Sequence, residues 1–317
     1  MHPEHGLAAP SHPDPYPYYR HLVANMPMHR DDRLGMWVAA SADAVQAVLL
    51  CPECRVRPLH EPVPAPLIGS TAGDVLRRLV RMNDGAFHQR VKPGLSMAVS
   101  LHMAATHWAE LLERKLGASE AAAGLEAFAF QLPVHVLASA LGTVPDALAE
   151  VTTHVAAFAR CLSPNATAIQ VERGNDAAAA LLRSFEGASW SEGVESDVAA
   201  ANTLGLLLQA YEATAGLILS TIAAFGRYPS ARTAPLHLCV EEVARFDAPV
   251  QNTRRFTASS VVIGGQEVGP GEEVLVVLAA ANRDGAVNPH PEASIQYGGP
   301  HAASRLAWEL MTAWANT

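Results

Sequence analysis

The sequence predicts a mainly α-helical domain that carries small β-sheets, and three observations lead there. Between Ala104 and Ile222, Ala, Leu and Glu dominate at helical spacing. After Phe246, the β-rich runs at 261–263 and 274–278 are joined through Gly264-Gly265 and Gly269-Pro270-Gly271, the punctuation of a hairpin or small sheet. Apolar residues make up 50% of the 317 positions, enough to bury a substantial core.

Each element follows from local chemistry. Residues 1–12, with His2, Pro3, His5, Pro10 and His12, read as a mobile tail, and 13–317 as a single domain. Apolar periodicity begins at Tyr16–Leu22 behind Pro13, Pro15 and Pro17. Residues 35–39 read as a short strand, and Ser41 then caps a helix running to Leu50, because Ala, Val and Leu recur at helical spacing after a good N-cap residue. Breaks are expected in the helical region at Leu132-Pro133, at 142–145 and at Ser163-Pro164. No repeat or linker divides the chain.

Composition excludes several function classes. The formal net charge is −9 and the basic residues stand singly or in pairs, such as Arg77-Arg78 and Arg254-Arg255, so no footprint for nucleic acid appears. Apolar stretches such as 274–281 fall far short of a bilayer crossing, and the polar, proline-rich start lacks a signal pattern, so no membrane partner and a cytoplasmic location are expected. Four cysteines, at 51, 54, 161 and 239, do not make a disulfide scaffold in a chain of this length. Cys51-Pro52-Glu53-Cys54 lacks two further ligands for zinc and a strand-to-helix context for redox work, so it reads as a loop pair without chemistry. The 14 histidines show no zinc-motif spacing, and no metal site is assigned.

Glu242-Val243-Ala244-Arg245 sets a carboxylate and a guanidinium on one helix face, where they can meet each other and a third group. It opens an ordered series: Phe246-Asp247-Ala248-Pro249, Thr253-Arg254-Arg255, Ile263-Gly264-Gly265, 271–275 and Ala281-Asn282-Arg283-Asp284. This series resembles the K-helix and following sheet of bacterial cytochromes P-450. Asp14-Pro15-Tyr16-Pro17, residues 29–32 with Trp37, Arg55-Val56-Arg57-Pro58, 130–145 and 206–218 resemble further segments of that family. The resemblance implies the cytochrome P-450 fold, with Glu242, Arg245, Asn282 and Arg283 in architectural roles.

Several departures from the family bear on haem. Where the family leads through phenylalanine and glycines into the iron-ligating cysteine, this chain has residues 297–304, Tyr-Gly-Gly-Pro-His-Ala-Ala-Ser, and no cysteine follows Cys239. The meander before that loop is shortened. On the central helix the family's acid and oxygen-handling threonine become Glu212 and Ala213, Thr214 comes one position late, and the family's glycine is Ala210. His88 and Arg255 match positions that contact haem propionates, while Lys92, followed at once by the helix breaker Pro93, replaces an arginine. His301 in the remodelled loop corresponds to a histidine the family often carries before its cysteine. These positions read as vestigial, with no catalytic residue and no cofactor expected. A vacated haem cavity is costly, so the shortened loop, Tyr297 and Trp308 are expected to lie close to the central helix.

The chain resembles the haem-free auxiliary proteins that pair with antibiotic glycosyltransferases. A non-catalytic role is therefore expected, binding and activating or stabilising a deoxysugar glycosyltransferase in natural-product biosynthesis. The alternative is a P-450-related enzyme of antibiotic tailoring that uses its pocket without haem, or with a ligand other than cysteine such as His301.

Overall fold

A computed structural model describes residues 2–61, 63–105, 124–186 and 194–286. The chain forms two compact units, one made of residues 1–60 and 220–317 and the other of residues 61–219.

The first unit is built on a five-stranded sheet. Strand β1 (Met28–Asp31) pairs antiparallel with β2 (Met36–Ala39), and after Ser41 the chain enters α2 (Ala42–Leu50) and then β3 (Cys54–Arg55). Far along the sequence come β4 (Thr253–Thr257), the β5 (Val261–Ile263) and β6 (Gln266–Val268) hairpin, and β7 (Glu273–Val276). The sheet order is β1-β2-β7-β4-β3, with β7 parallel to β2, so that Trp37 faces Val274 and Ala39 faces Val276. Strand β7 reads as an unbroken apolar run because both of its faces are covered. Val274 and Val276 pack with Ala39, Val45, Val48 and Ile263, while Leu275 and Val277 pack with Tyr19, Leu22 and Val38. Gly264 and Gly265 turn the β5–β6 hairpin at φ 56° and 77°, the positive values a two-residue turn of matching twist demands.

Local capping explains α2. Ser41 accepts from the Ala44 N–H at 3.2 Å, and Asp284, from the far end of the chain, accepts from the Ala42 N–H at 2.9 Å. Helix α1 (Tyr16–Asn25) lies on the other sheet face, burying Tyr19 and Leu22. The first dozen residues are not the free tail expected from their composition. They form turns ending in a 3-10 segment at Ala9–Ser11 that buries Ala9, and Gly6 lies so close to Leu275 that an added Cβ would come within 2.7 Å of Cδ2. Gly6 and Ala9 are small enough to pack where larger residues would stand off.

The second unit is helical: α3 (Thr71–Arg78), α4 (Gly85–Ala105), α5 (Gly124–Ala140), α6 (Leu148–Cys161), α7 (Ala168–Ser184) and α8 (Ser196–Gln209). Val151, Val155, Phe158, Leu181, Leu204 and Leu207 form its core. Two expected breaks are absent. Helix α4 continues through Pro93, and α5 continues through Pro133. A proline removes one ladder bond to the carbonyl four residues earlier. Pro93 frees that of exposed Gln89, which water can satisfy, and Pro133 is itself buried, gaining apolar contact that offsets the lost bond.

Helix α8 leads into a π turn at Ala210–Thr214 and then α9 (Ala215–Arg227). By length and composition alone this 32-residue run could cross a bilayer. Its apolar first half has another explanation, since Val198, Leu204, Leu207 and Leu208 are buried in packed cores of the unit.

The pairing of α6 with α7 depends on one small residue. A Cβ at Gly174 would overlap both Cβ and Sγ of Cys161 and crowd the Ala157 carbonyl at 3.3 Å. Alanine is the better helix former, yet here overpacking dominates. Gly174→Ala is expected to cost about 1–3 kcal/mol, read as a lower urea midpoint at unchanged slope. A midpoint equal to or above the parent's would show that the helices separate freely.

Candidate functional site

Three sets of residues are candidates: a buried ionic cluster in the first unit, the π turn of the second, and the positions expected to touch haem.

In the first unit, α10 (Leu236–Phe246) brings Glu242 and Arg245 one turn apart. Arg245 Nε donates to Glu242 Oε2 at 2.8 Å, a second guanidinium nitrogen donates to the other carboxylate oxygen, and Nη1 donates to the Asn282 carbonyl at 3.3 Å. The short helix α11 (Leu278–Ala281) delivers Asn282 and then Arg283. Arg283 is 3% exposed and lies flat between aromatic faces, 3.5 Å from the centroid of Tyr16 and 3.6 Å from that of Phe246. It also donates to the Phe246 carbonyl and stands 3.7 Å from Asp247, which accepts from the Tyr16 hydroxyl. Burial pushes the Arg283 guanidinium below its ordinary range. Burial also pushes the Tyr16 hydroxyl well above its own, and the hydrogen bond and charge of Asp247 add to that. Arg245, Glu242, Asp247 and Tyr16 all bond within the cluster, and only Arg283 Nε and the Asn282 side-chain oxygen are left unmet, so the cluster is architecture. The sequence pointed to Glu242, Arg245, Asn282 and Arg283, whereas Tyr16, Phe246 and Asp247 were visible only as members of motifs, without a role.

In the second unit, the π turn carries Ala210, Tyr211, Glu212, Ala213 and Thr214. The roughly hundred-degree offset reckoned for Thr214 assumes a regular α-helix, and the π turn replaces that geometry. Glu212 and Thr214 present open surface, Ala213 is half-buried, and the Tyr211 ring tilts against Phe130 at 4.8 Å between centroids. Burial pushes the Glu212 carboxyl above the usual carboxylate range and Arg81 pulls it back.

Arg81 sits on a 3-10 turn, Val80–Met82, fixed to the helix below it. Buried Asn202 accepts from the Val80 N–H at 2.7 Å and donates to the Arg78 carbonyl at 2.9 Å. Between them Leu79 presses on Gly205, where an added Cβ would meet Cδ2 at 2.7 Å. Asn202 and Gly205 follow at i and i+3 on one face of the helix. The sequence reading missed Arg81 because one arginine among scattered basic residues carries no pattern.

The expected haem contacts divide. His88 and Lys92 share α4, and burial lowers the Lys92 ammonium. Arg255 stands buried on β4 in the first unit, its Nη1 donating to the Arg254 carbonyl at 2.8 Å. His301, Tyr297, Trp308 and the shortened loop lie outside the described residues, and with them the expected collapse toward the central helix.

A thiolate-ligated haem needs an ionised sulfur facing open space. The chain's thiols do not fit. Cys54 is buried on β3, its thiol pushed up to about 12 by burial and then by Cys51, to which it hydrogen-bonds. Cys161 is locked against Gly174, and burial pushes it up to about 11. Cys239 is wholly buried in α10, and Cys51 is half-buried at the end of α2. Among the described residues no group of His, Cys, Asp and Glu could hold a metal ion.

No protein-family model matches the chain. It is 26% identical to the cytochrome P-450 monooxygenase PikC of Streptomyces venezuelae over 316 aligned residues, covering 88% of this chain and 74% of that protein. Cytochrome P-450 107B1 of Saccharopolyspora erythraea is 32% identical over 203 residues, 56% of this chain and 48% of that one. Among solved structures, epothilone B-bound cytochrome P-450epoK superposes with a TM-score of 0.73 at 19% identity, covering 97% of this chain and 89% of that chain. Over nearly its whole length the chain therefore has the cytochrome P-450 fold, and its sequence is similar to those of bacterial cytochromes P-450.

Proposed function

We propose that the chain is a haem-free, non-catalytic P-450-like protein that binds a partner enzyme and activates or stabilises it, the partner being a deoxysugar glycosyltransferase of natural-product biosynthesis, in the cytoplasm. The observation that carries this reading is the placement of the thiols. All four cysteines are committed to cores or to one another, and Ala213 follows Glu212 where the family's oxygen-handling hydroxyl stands. The architectural ion cluster is nevertheless complete. A scaffold kept intact after losing the means to hold and use haem is suited to work through its surface. Similarity to bacterial P-450s such as PikC and 107B1 is in keeping with this reading, and the resemblance to glycosyltransferase helpers supplies the partner class. Activation then means binding one conformation of the transferase more tightly than another.

A second reading is tailoring chemistry in the pocket, without haem or with a ligand other than cysteine. The widened π turn favours it, since it presents Glu212 and Thr214 to solvent on the central helix.

Two measurements follow. Iodoacetamide at pH 8 is expected to modify Cys51 in the folded protein and to reach Cys54, Cys161 and Cys239 only after unfolding, as mapped by peptide mass spectrometry. Fast native labelling of Cys161 or Cys239 would remove the basis for excluding a thiolate ligand. The chain, co-expressed with the glycosyltransferase encoded beside it, is expected to co-purify with the transferase, to raise its solubility or activity, and to show no Soret band. A Soret band with stoichiometric iron before any reconstitution sinks the haem-free reading, and absence of any effect on the transferase sinks the partner role.

A further inference from the structure

Cys51, Pro52, Glu53 and Cys54 form a turn in the first unit that is tied down at both ends. The Cys51 N–H donates to the Val48 carbonyl at 3.4 Å, closing α2, and the Cys54 N–H donates back to the Cys51 carbonyl at 3.0 Å. On the far side the Ala258 N–H donates to the Glu53 carbonyl at 2.8 Å, and Cys54 starts β3 opposite Thr257 of β4. A turn closed from its first carbonyl to its fourth N–H holds its end Cα atoms within about 7 Å, and a disulfide spans roughly 4.4–6.8 Å between Cα atoms. Both side chains enter one core. Cys54 is buried in the cluster of Val45, Val48 and Val276, and half-buried Cys51 packs against that cluster. The two thiols hydrogen-bond to each other. A spacing that reads as a loop pair without chemistry thus brings two sulfurs together.

Two sulfurs held in this way either ligate a metal or bond to each other. A zinc site needs further ligands, and among the described residues no third His, Cys, Asp or Glu gathers with these two. Bond formation needs one sulfur that a reagent can reach and a second that can displace it. Cys51 is half-buried and follows Leu50, which is 68% exposed, so it stands at the surface, whereas Cys54 is 5% exposed. The pair lies at the C-terminal end of α2, where the helix dipole opposes a thiolate instead of stabilising one. The reduced form therefore gains nothing from ionisation, and a disulfide formed here resists reduction.

We propose that Cys51 and Cys54 form a thiol–disulfide exchange site for low-molecular-weight disulfides, with Cys51 as the attacking sulfur and Cys54 as the resolving one. Cys51 gives its proton to solvent, and its thiolate attacks one sulfur of the small disulfide. The reagent's S–S bond breaks, and its other half leaves as a thiolate that takes a proton from water. Cys54 then loses its proton and attacks the Cys51 sulfur, and the second half of the reagent leaves as a thiol. Two protein S–H bonds and one reagent S–S bond are replaced by one protein S–S bond and two reagent thiols, the protein being oxidised and the reagent reduced. Burial, which pushes the Cys54 thiol up to about 12, makes the second step the slow one. The site uses only the end of α2 and the start of β3, and it depends on neither reading of function.

The test incubates the reduced, folded full chain with glutathione disulfide at pH 8, quenches it in acid and maps its peptides by mass spectrometry without reduction. Cys51 and Cys54 are expected to end as an intramolecular disulfide, the chain losing two hydrogens and passing through a glutathione adduct on Cys51, while Cys161 and Cys239 stay free. Cys54→Ser is expected to stop at that adduct, and Cys51→Ser to react at least about tenfold more slowly than the parent. Unfolding in urea reads the geometry. Because the turn already holds the sulfurs together, the oxidised chain is expected to show a higher urea midpoint than the reduced one. A parent that halts at the Cys51 adduct, a parent that stays reduced, equal rates for Cys51→Ser and the parent, or a lowered midpoint on oxidation would each overturn the proposal. The parent's end product and midpoint need no variant, so they decide the outcome even where Cys54→Ser does not fold.

Discussion

The first unit depends on keeping two buried guanidinium groups satisfied. Moving a charge of that size out of water costs several kcal/mol, and removing one member of such a pair leaves the other uncompensated. Arg245 meets the carboxylate of Glu242 at two of its nitrogens and the Asn282 carbonyl at a third, while Arg283 is enclosed by two rings, the Phe246 carbonyl and Asp247. These partners come from α1, α10 and the turn after α11, so the electrostatics fix three separate stretches of chain at once. The chain cannot drop one member without exposing the cost of the rest. Retention of Glu242 and Arg245 is therefore a statement about folding and says nothing for or against chemistry elsewhere.

The central helix obeys a different constraint. A π turn widens the backbone by one residue and trades ladder geometry for surface that can face a ligand. In this chain the widening persists with alanine at 213, so no hydroxyl at that position is needed to hold it. Contacts just upstream can do so: Asn202 gives its amide to the Val198 and Arg78 carbonyls and takes the Val80 N–H, and Gly205 lets Leu79 close on the helix. The missing threonine thus removes a chemical group without restoring a regular helix. Loss of an oxygen-handling residue and survival of the shaped surface are separable events.

What could be read from the sequence was whatever local chemistry decides. Ser41 caps α2, Gly264-Gly265 turns the hairpin, and Glu242 meets Arg245, because each needs only neighbours within a few residues. The ordered motifs also brought the fold within reach. Tertiary context decided the rest. Pro93 and Pro133 punctuate a sequence, yet both lie inside helices, where solvation of a freed carbonyl or burial of the ring compensates. A proline-rich start looks free until Gly6 meets Leu275, which lies in a strand near the other end of the chain. The parallel pairing of β2 with β7 is likewise invisible to local pattern. Arg81 was the largest omission, since the property that marks it is the lack of a partner, and sequence does not record partners.

The contrast among three desolvated arginines joins these points. Arg245 and Arg283 are surrounded by groups that the fold brings to them, although Arg283 Nε finds no acceptor, and Arg81, on a turn fixed by Asn202, likewise has a buried Nε without one. A buried donor left unsatisfied costs about 1–3 kcal/mol, a noticeable share of the stability of any domain. A methionine or leucine on the same turn would avoid that cost without disturbing Asn202 or Leu79. The thiols are committed to packing, and the arginines show that a single unmet donor is tolerated where the rest of its group is held. The two readings of function differ in what the fold meets, a partner enzyme at its surface in one and a small molecule in its pocket in the other.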